Sequence, residues 1–76
     1  MYFVVVDIGC SDCGESSNLV GIFTTEENAR NAMHNYMKDN HLTMDGDHEL
    51  LIFKLEELNR VHNNSYDHLI FSSQDS

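Results

Sequence analysis

LVGIFTTEENARNAMHNYMKDN, from Leu19 to Asn40, changes its hydrophobic period partway along, and the fold follows from that change. Leu19 to Phe23 is a short apolar run bounded by polar residues, which predicts a strand. From Thr25 to Asp39 the period becomes helical, with Ala29, Ala32, Met33, Tyr36 and Met37 on one stripe. We read that stripe as core packing. Thr24 with Glu27 fits a capping box at the helix start, and early Glu26 with late Lys38 suits the helix dipole.

Upstream, MYFVVVDI has the β-branched and aromatic content of a strand, with Tyr2, Val4, Val6 and Ile8 on one face and Phe3 and Val5 on the other. A strand apolar on both faces is expected in the middle of its sheet. The Gly- and Ser-containing stretch from Gly9 to Asn18 is a loop. Downstream, an Asp45-Gly46 turn precedes ELLIFKL, a third strand from Glu49 to Leu55. Leu55, Leu58 and Val61 fit a short helix, Asn63-Asn64 a turn, and Tyr66 to Ser72 an edge strand. Residues 73–76 are expected to fray.

The reading is therefore a single α+β domain over residues 1–72, ordered β-β-α-β-(short α)-β. Its small mixed sheet of three to four strands has one main helix packed on one face. The strand–helix–strand crossover should be right-handed, with the first strand between the second and third. In that arrangement the loop after the first strand and the loop before the third leave one end of the sheet. Asp12, Glu15, Asp39, Asp45, Asp47 and Glu49 then gather at one pole, where only Lys38 opposes them. Glu26, Glu27, Glu56 and Glu57 form a secondary acidic patch at the other end, near Arg30, Lys54 and Arg60.

Composition bounds function. Thirteen Asp and Glu against four Lys and Arg give a formal net charge of −9, which opposes direct binding to nucleic acid or an anionic membrane and favours a basic partner. Protonating all five histidines would still leave −4, from −9 plus five. The apolar fraction of 41% supports a packed core. No signal-like leader or membrane-length apolar run is present, and two cysteines make no disulfide framework, so the expected location is the cytoplasm. Spread evenly, the carboxylates would put about two in a standard 800 Å² interface. Mimicry of a phosphate backbone needs them clustered.

Cys10 and Cys13 are the remaining motif. A zinc site would need His41 and His48, which the topology brings to the same pole; the bland reading is two reduced loop thiols. Thioredoxin-like chemistry would need the pair at a helix N-terminus, and here it leads into a strand. Asp45 to Glu49 lacks the ligand order of a calcium loop. His34, His62 and His68 read as solvated. No nucleophile, base and orienting group fall into a catalytic pattern, and no cofactor motif occurs, so we expect a binding protein rather than an enzyme.

Val20-Gly21-Ile22-Phe23-Thr24-Thr25-Glu26-Glu27, followed by Ala29 and Ala32, resembles a family of small uncharacterised phage-borne and bacterial domains. The likeness covers residues 2 to 55 and implies the strand–strand–helix–strand fold without any chemistry. In size and acidity the chain also resembles host-takeover proteins of large lytic Bacillus phages. Some of these are DNA mimics that occupy the DNA-binding surface of the histone-like protein HU. That likeness implies an acidic inhibitor acting in the host cytoplasm, with HU as first candidate partner. Another host protein, such as RNA polymerase or a nuclease, is the alternative, as is a small zinc module. Exposed edge strands leave open whether two copies pair as a homodimer.

Overall fold

The computed structural model describes residues 1–9, 14, 16–44 and 46–74. Its elements are β1 (Tyr2–Ile8), β2 (Asn18–Phe23), α1 (Glu26–Asp39), β3 (Glu49–Leu55), a 3₁₀ turn (Ser65–His68) and β4 (Leu69–Ser72). The strands form one sheet in the order β2-β1-β3-β4. β1 does lie between β2 and β3, pairing Val4 with Ile22 on one side and with Phe53 on the other. Every neighbouring pair is antiparallel, so the sheet is antiparallel rather than mixed. β2 and β3 run the same way, but with β1 between them no parallel ladder forms.

Alternation along β1 decides what is buried. Phe3, Val5 and Asp7 face the helix, and Phe3 and Val5 join Ala29, Met33, Met37, Leu50 and Ile52 in the core. Three of the five residues in the helical stripe, Ala29, Met33 and Met37, are buried, as a helix lying on a sheet requires. Against β2 the register shifts between Val5 and Val6, whose partners are Gly21 and Leu19. This bulge leaves Val20 to pack against the core. Gly21 leaves room for the Phe23 ring, since a Cβ there would stand 2.8 Å from Cζ of Phe23.

Helix α1 is stopped at both ends by identifiable groups. Its N-cap is Thr25, whose Oγ1 accepts from the Asn28 amide at 3.1 Å, one residue later than the Thr24 and Glu27 capping box. At the other end the His41 amide donates to Lys38 O and the Leu42 amide to Met37 O at 2.8 Å. His41 sits at φ 57, in the left-handed region, and Leu42 packs on the core. Together these make a Schellman stop with histidine at the position glycine usually takes.

The chain after β3 departs from the sequence reading. No helix forms over Leu55 to Val61; Asn59 takes a left-handed φ of 58, and Leu58 and Val61 are exposed. The short helical turn lies later, at Ser65–His68, closed by the Asp67 amide on Asn64 O at 3.0 Å. β4 is correspondingly shorter than Tyr66 to Ser72. Tyr66 instead packs edge-on against Phe53, centroids 6.0 Å apart, covering part of the sheet face that α1 does not. On the rest of that face Leu19 and Ile22 stay 63% and 58% exposed. Ser73, expected in a frayed tail, makes two hydrogen bonds to Leu50 of β3: its amide donates to Leu50 O, and its side-chain Oγ accepts from the Leu50 amide. No helix among the described residues is long and apolar enough to cross a membrane.

Candidate functional site

The two acidic loops share an end of the sheet because of the β1 register. Asp7 pairs with Asn18 and Ile8 with Glu49, so the segment entering β2 and the segment entering β3 both start from the end where β1 stops. The last turn of α1 reaches the same end, bringing Asp39 and its partial negative dipole. Asp39 and Asp47 are exposed there, and neither makes an ion pair among the described residues. Glu49 is half-buried and accepts from Ser72 Oγ at 2.9 Å. Asp12, Glu15 and Asp45 lie outside the described residues, as do Cys10 and Cys13.

Half of the secondary patch is paired with arginine. Arg30 Nε donates to Glu26 at 2.8 Å while its guanidinium lies over the Phe71 ring, and Arg60 donates to Glu57 at 3.0 Å. Glu27 and Glu56 are exposed. Two of the four Lys and Arg are thus tied to acids at this end. Evenly spread over a surface of 5243 Å², thirteen carboxylates would put about two in each 800 Å². Glu26 and Glu57 thus share their charge with an arginine, which, among the described residues, Asp39 and Asp47 do not.

Beneath the acidic end is a polar cluster that the sequence reading missed. Asp7 is 0% exposed, on the helix-facing side of β1. Its Oδ1 lies 2.6 Å from Nδ1 of His48, whose side chain is 12% exposed, and its Oδ2 accepts from the Tyr36 hydroxyl. Asn18 Nδ2 donates to that same hydroxyl oxygen at 3.2 Å. One carboxylate therefore joins β1, the helix and the loop before β3. A buried charge without partners costs several kcal/mol, so these donors are required rather than incidental. Burial, reinforced by the Asp7 carboxylate, pushes the Tyr36 hydroxyl above its usual pKa; the Asn18 amide acts weakly the other way. The phenol stays protonated and donating.

Tyr36 is thus a network member as well as part of the core stripe. The signal for it was present: Asp7 has the same strand parity as Phe3 and Val5, and a carboxylate on a core face must find donors. The cluster lines a cavity of about 280 Å³ with Ser16, Asn40 and Leu42. His41 and His48 line a second one of about 190 Å³ with Asp47. His41 is exposed and serves the helix stop, while His48 is engaged by Asp7. No three metal-binding side chains converge among the described residues.

The remaining histidines differ from one another. His34 is exposed on α1. His62 and His68, read as solvated, are half-buried and stack edge to face, centroids 5.1 Å apart. No family model matches the chain, and no curated protein and no solved structure matches it.

Proposed function

We propose that the chain is an acidic protein-binding inhibitor that presents carboxylates, in place of DNA phosphates, to the basic DNA-binding surface of another protein. The histone-like protein HU is the first candidate partner. The observation that carries this reading is the shared end of the sheet, where Asp39, Asp47 and Glu49 meet the helix C-terminus while Arg30 and Arg60 are tied to acids elsewhere. A polarised −9 chain would be steered onto a basic groove and would exclude DNA by occupying the same Lys and Arg side chains.

The Asp7 cluster supports this reading mechanically. By fixing His48 it holds the stem of the loop that carries Asp47 and Glu49, so the carboxylates are presented from a fixed base rather than a loose strand end. Less ordering is then needed on binding.

The test is competition. Purified chain titrated into an HU–DNA complex should release the DNA. Changing Asp39, Asp47 and Glu49 to Asn, Asn and Gln should raise the required concentration at least tenfold; Gln at 49 keeps an acceptor for Ser72. Glu56→Gln with Glu57→Gln should change it less than threefold. If the first triple releases DNA as well as the parent chain, the acidic end is not the binding surface. If the parent chain leaves HU–DNA intact while a pull-down recovers RNA polymerase or a nuclease, HU is the wrong partner.

A further inference from the structure

We propose that two copies of the chain pair through the sheet face that α1 leaves open, as a reversible two-fold dimer whose contact is separate from the acidic end. Register builds that face. Val4 lies between Ile22 on β2 and Phe53 on β3, and Val6 is paired with Leu19. Directly paired residues share a face, so all of these stand on the side away from α1. Strict alternation would put Leu19 and Ile22, three positions apart, on opposite sides. The bulge at Val20 shifts the parity and brings both outward, where they are 63% and 58% exposed.

The face is apolar in a chain of net charge −9. Among the described residues, β1, β2 and β3 put one charged side chain on it, Glu49 at its end, bonded to Ser72. A basic protein therefore finds little to hold there, whereas a second copy brings the same surface in self-complementary form. Pairing through the sheet edges is the poorer route, because β2 carries the bulge and β4 has only four residues.

Area sets the strength of the contact. The chain exposes 5243 Å², about 500 Å² more than a compact monomer of its mass. Four strands about 4.8 Å apart and about six residues of 3.3 Å long make a face of about 400 Å² before side-chain relief. Tyr66, itself 66% exposed, extends it over Phe53. Two such faces bury about 1,000 Å² together, the lower bound for a specific interface. The pair therefore forms in the micromolar range and dissociates on dilution. Since the acidic ends repel, the two-fold axis runs across the strands and places them at opposite ends of the dimer.

Sedimentation equilibrium of the full chain from micromolar to millimolar concentration should show the mass rising from one chain to two. Raising salt from about 50 to about 300 mM should strengthen pairing by screening like charges, the reverse of its effect on binding to a basic partner. Leu19→Lys with Ile22→Lys brings the net charge to −7, from −9 plus two, so any weakening cannot come from added repulsion. It should weaken pairing at least tenfold with unchanged circular dichroism, whereas neutralising Asp39, Asp47 and Glu49 should leave pairing at least as tight. In a mixed-labelled sample of the parent chain, methyl contacts should join Val4 of one copy to Val6 of the other, a result that stands even if the variant folds poorly. A chain that stays single at millimolar concentration overturns the proposal and leaves the face to a different protein. Contacts between copies confined to the β2 backbone, or a lysine variant that pairs as tightly as the parent, overturn it as well.

Discussion

The Asp7 carboxylate and the His48 imidazole, 41 residues apart in sequence, meet at 2.6 Å with Asp7 wholly out of solvent. Removing the imidazole leaves a buried carboxylate short of a donor. His48→Ala should therefore cost about 3 kcal/mol of unfolding free energy, and Tyr36→Phe, which removes one hydrogen bond, about 1–2 kcal/mol. The pair of changes should be non-additive, because both act on the same carboxylate. Urea denaturation measures all three, and a His48→Ala cost below 1 kcal/mol would mean that water replaces the imidazole.

Alkaline pH gives a separate handle on the same cluster. Tyr36 has its hydroxyl pKa raised in the fold above the ordinary value of 10.0. Between the unfolded and folded values the native state holds a proton that the unfolded chain has lost, so stability falls as pH rises. The contribution is fully present below the unfolded pKa and is lost on passing through the folded one. Denaturation midpoints should drop more steeply above pH 10 for the parent chain than for Tyr36→Phe, and parallel curves would show that Tyr36 titrates normally.

His41 supplies a substitution that should stabilise. At φ 57 a residue with a Cβ is strained, and glycine is not. His41→Gly should add up to about 1 kcal/mol to stability while keeping the amide bonds to Lys38 and Met37. A loss on substitution would show that the exposed ring makes contacts that outweigh the strain.

The two threonines before α1 should behave differently. Thr25→Ala removes the side-chain acceptor for the Asn28 amide and should cost about 1 kcal/mol, whereas Thr24→Ala should be close to neutral. Thermal melts of the two variants decide which residue is the cap.

Association with a basic partner should weaken steeply with salt, because exposed charges are screened beyond about 10 Å at 0.1 M. Affinity measured by isothermal titration between 50 and 300 mM salt should fall continuously, with most of the loss in the association rate. Affinity independent of salt would point to the exposed apolar residues Leu19 and Ile22 as the contact.

What the sequence disclosed and what it hid divide by range. Local periodicity was enough for β1, α1 and β3, because strand and helix periods differ and the flanking loops are polar. The centre position of β1 followed from its two apolar faces, and with it the shared end of the loops. The spacing of Leu55, Leu58 and Val61 misled, since it matches a helix but has no surface to pack on, and Asn59 turns the backbone the other way. Thr24 and Thr25 are chemically equivalent caps, and only the backbone distinguishes them. The contact of Asp7, Tyr36 and His48 is set by tertiary packing, so only the odd carboxylate on a core face announced it. The stacking of His62 on His68 left no sequence trace at all.

The register of β1 also sets a clock on synthesis. Phe3 finds its β3 partner at Lys54, and position 54 minus position 3 leaves 51 residues still to be made, Lys54 included. At about 5–20 residues per second that interval lasts about 3–10 s. Pairing with β2 can begin much sooner, since Phe23 is the partner of Phe3 on that side. A nascent β1–β2 hairpin therefore waits with one unpaired backbone edge, and with the face that α1 does not cover open, until β3 arrives. For those seconds the growing chain, despite its acidity, is a client for whatever in the cell shelters unpaired strands.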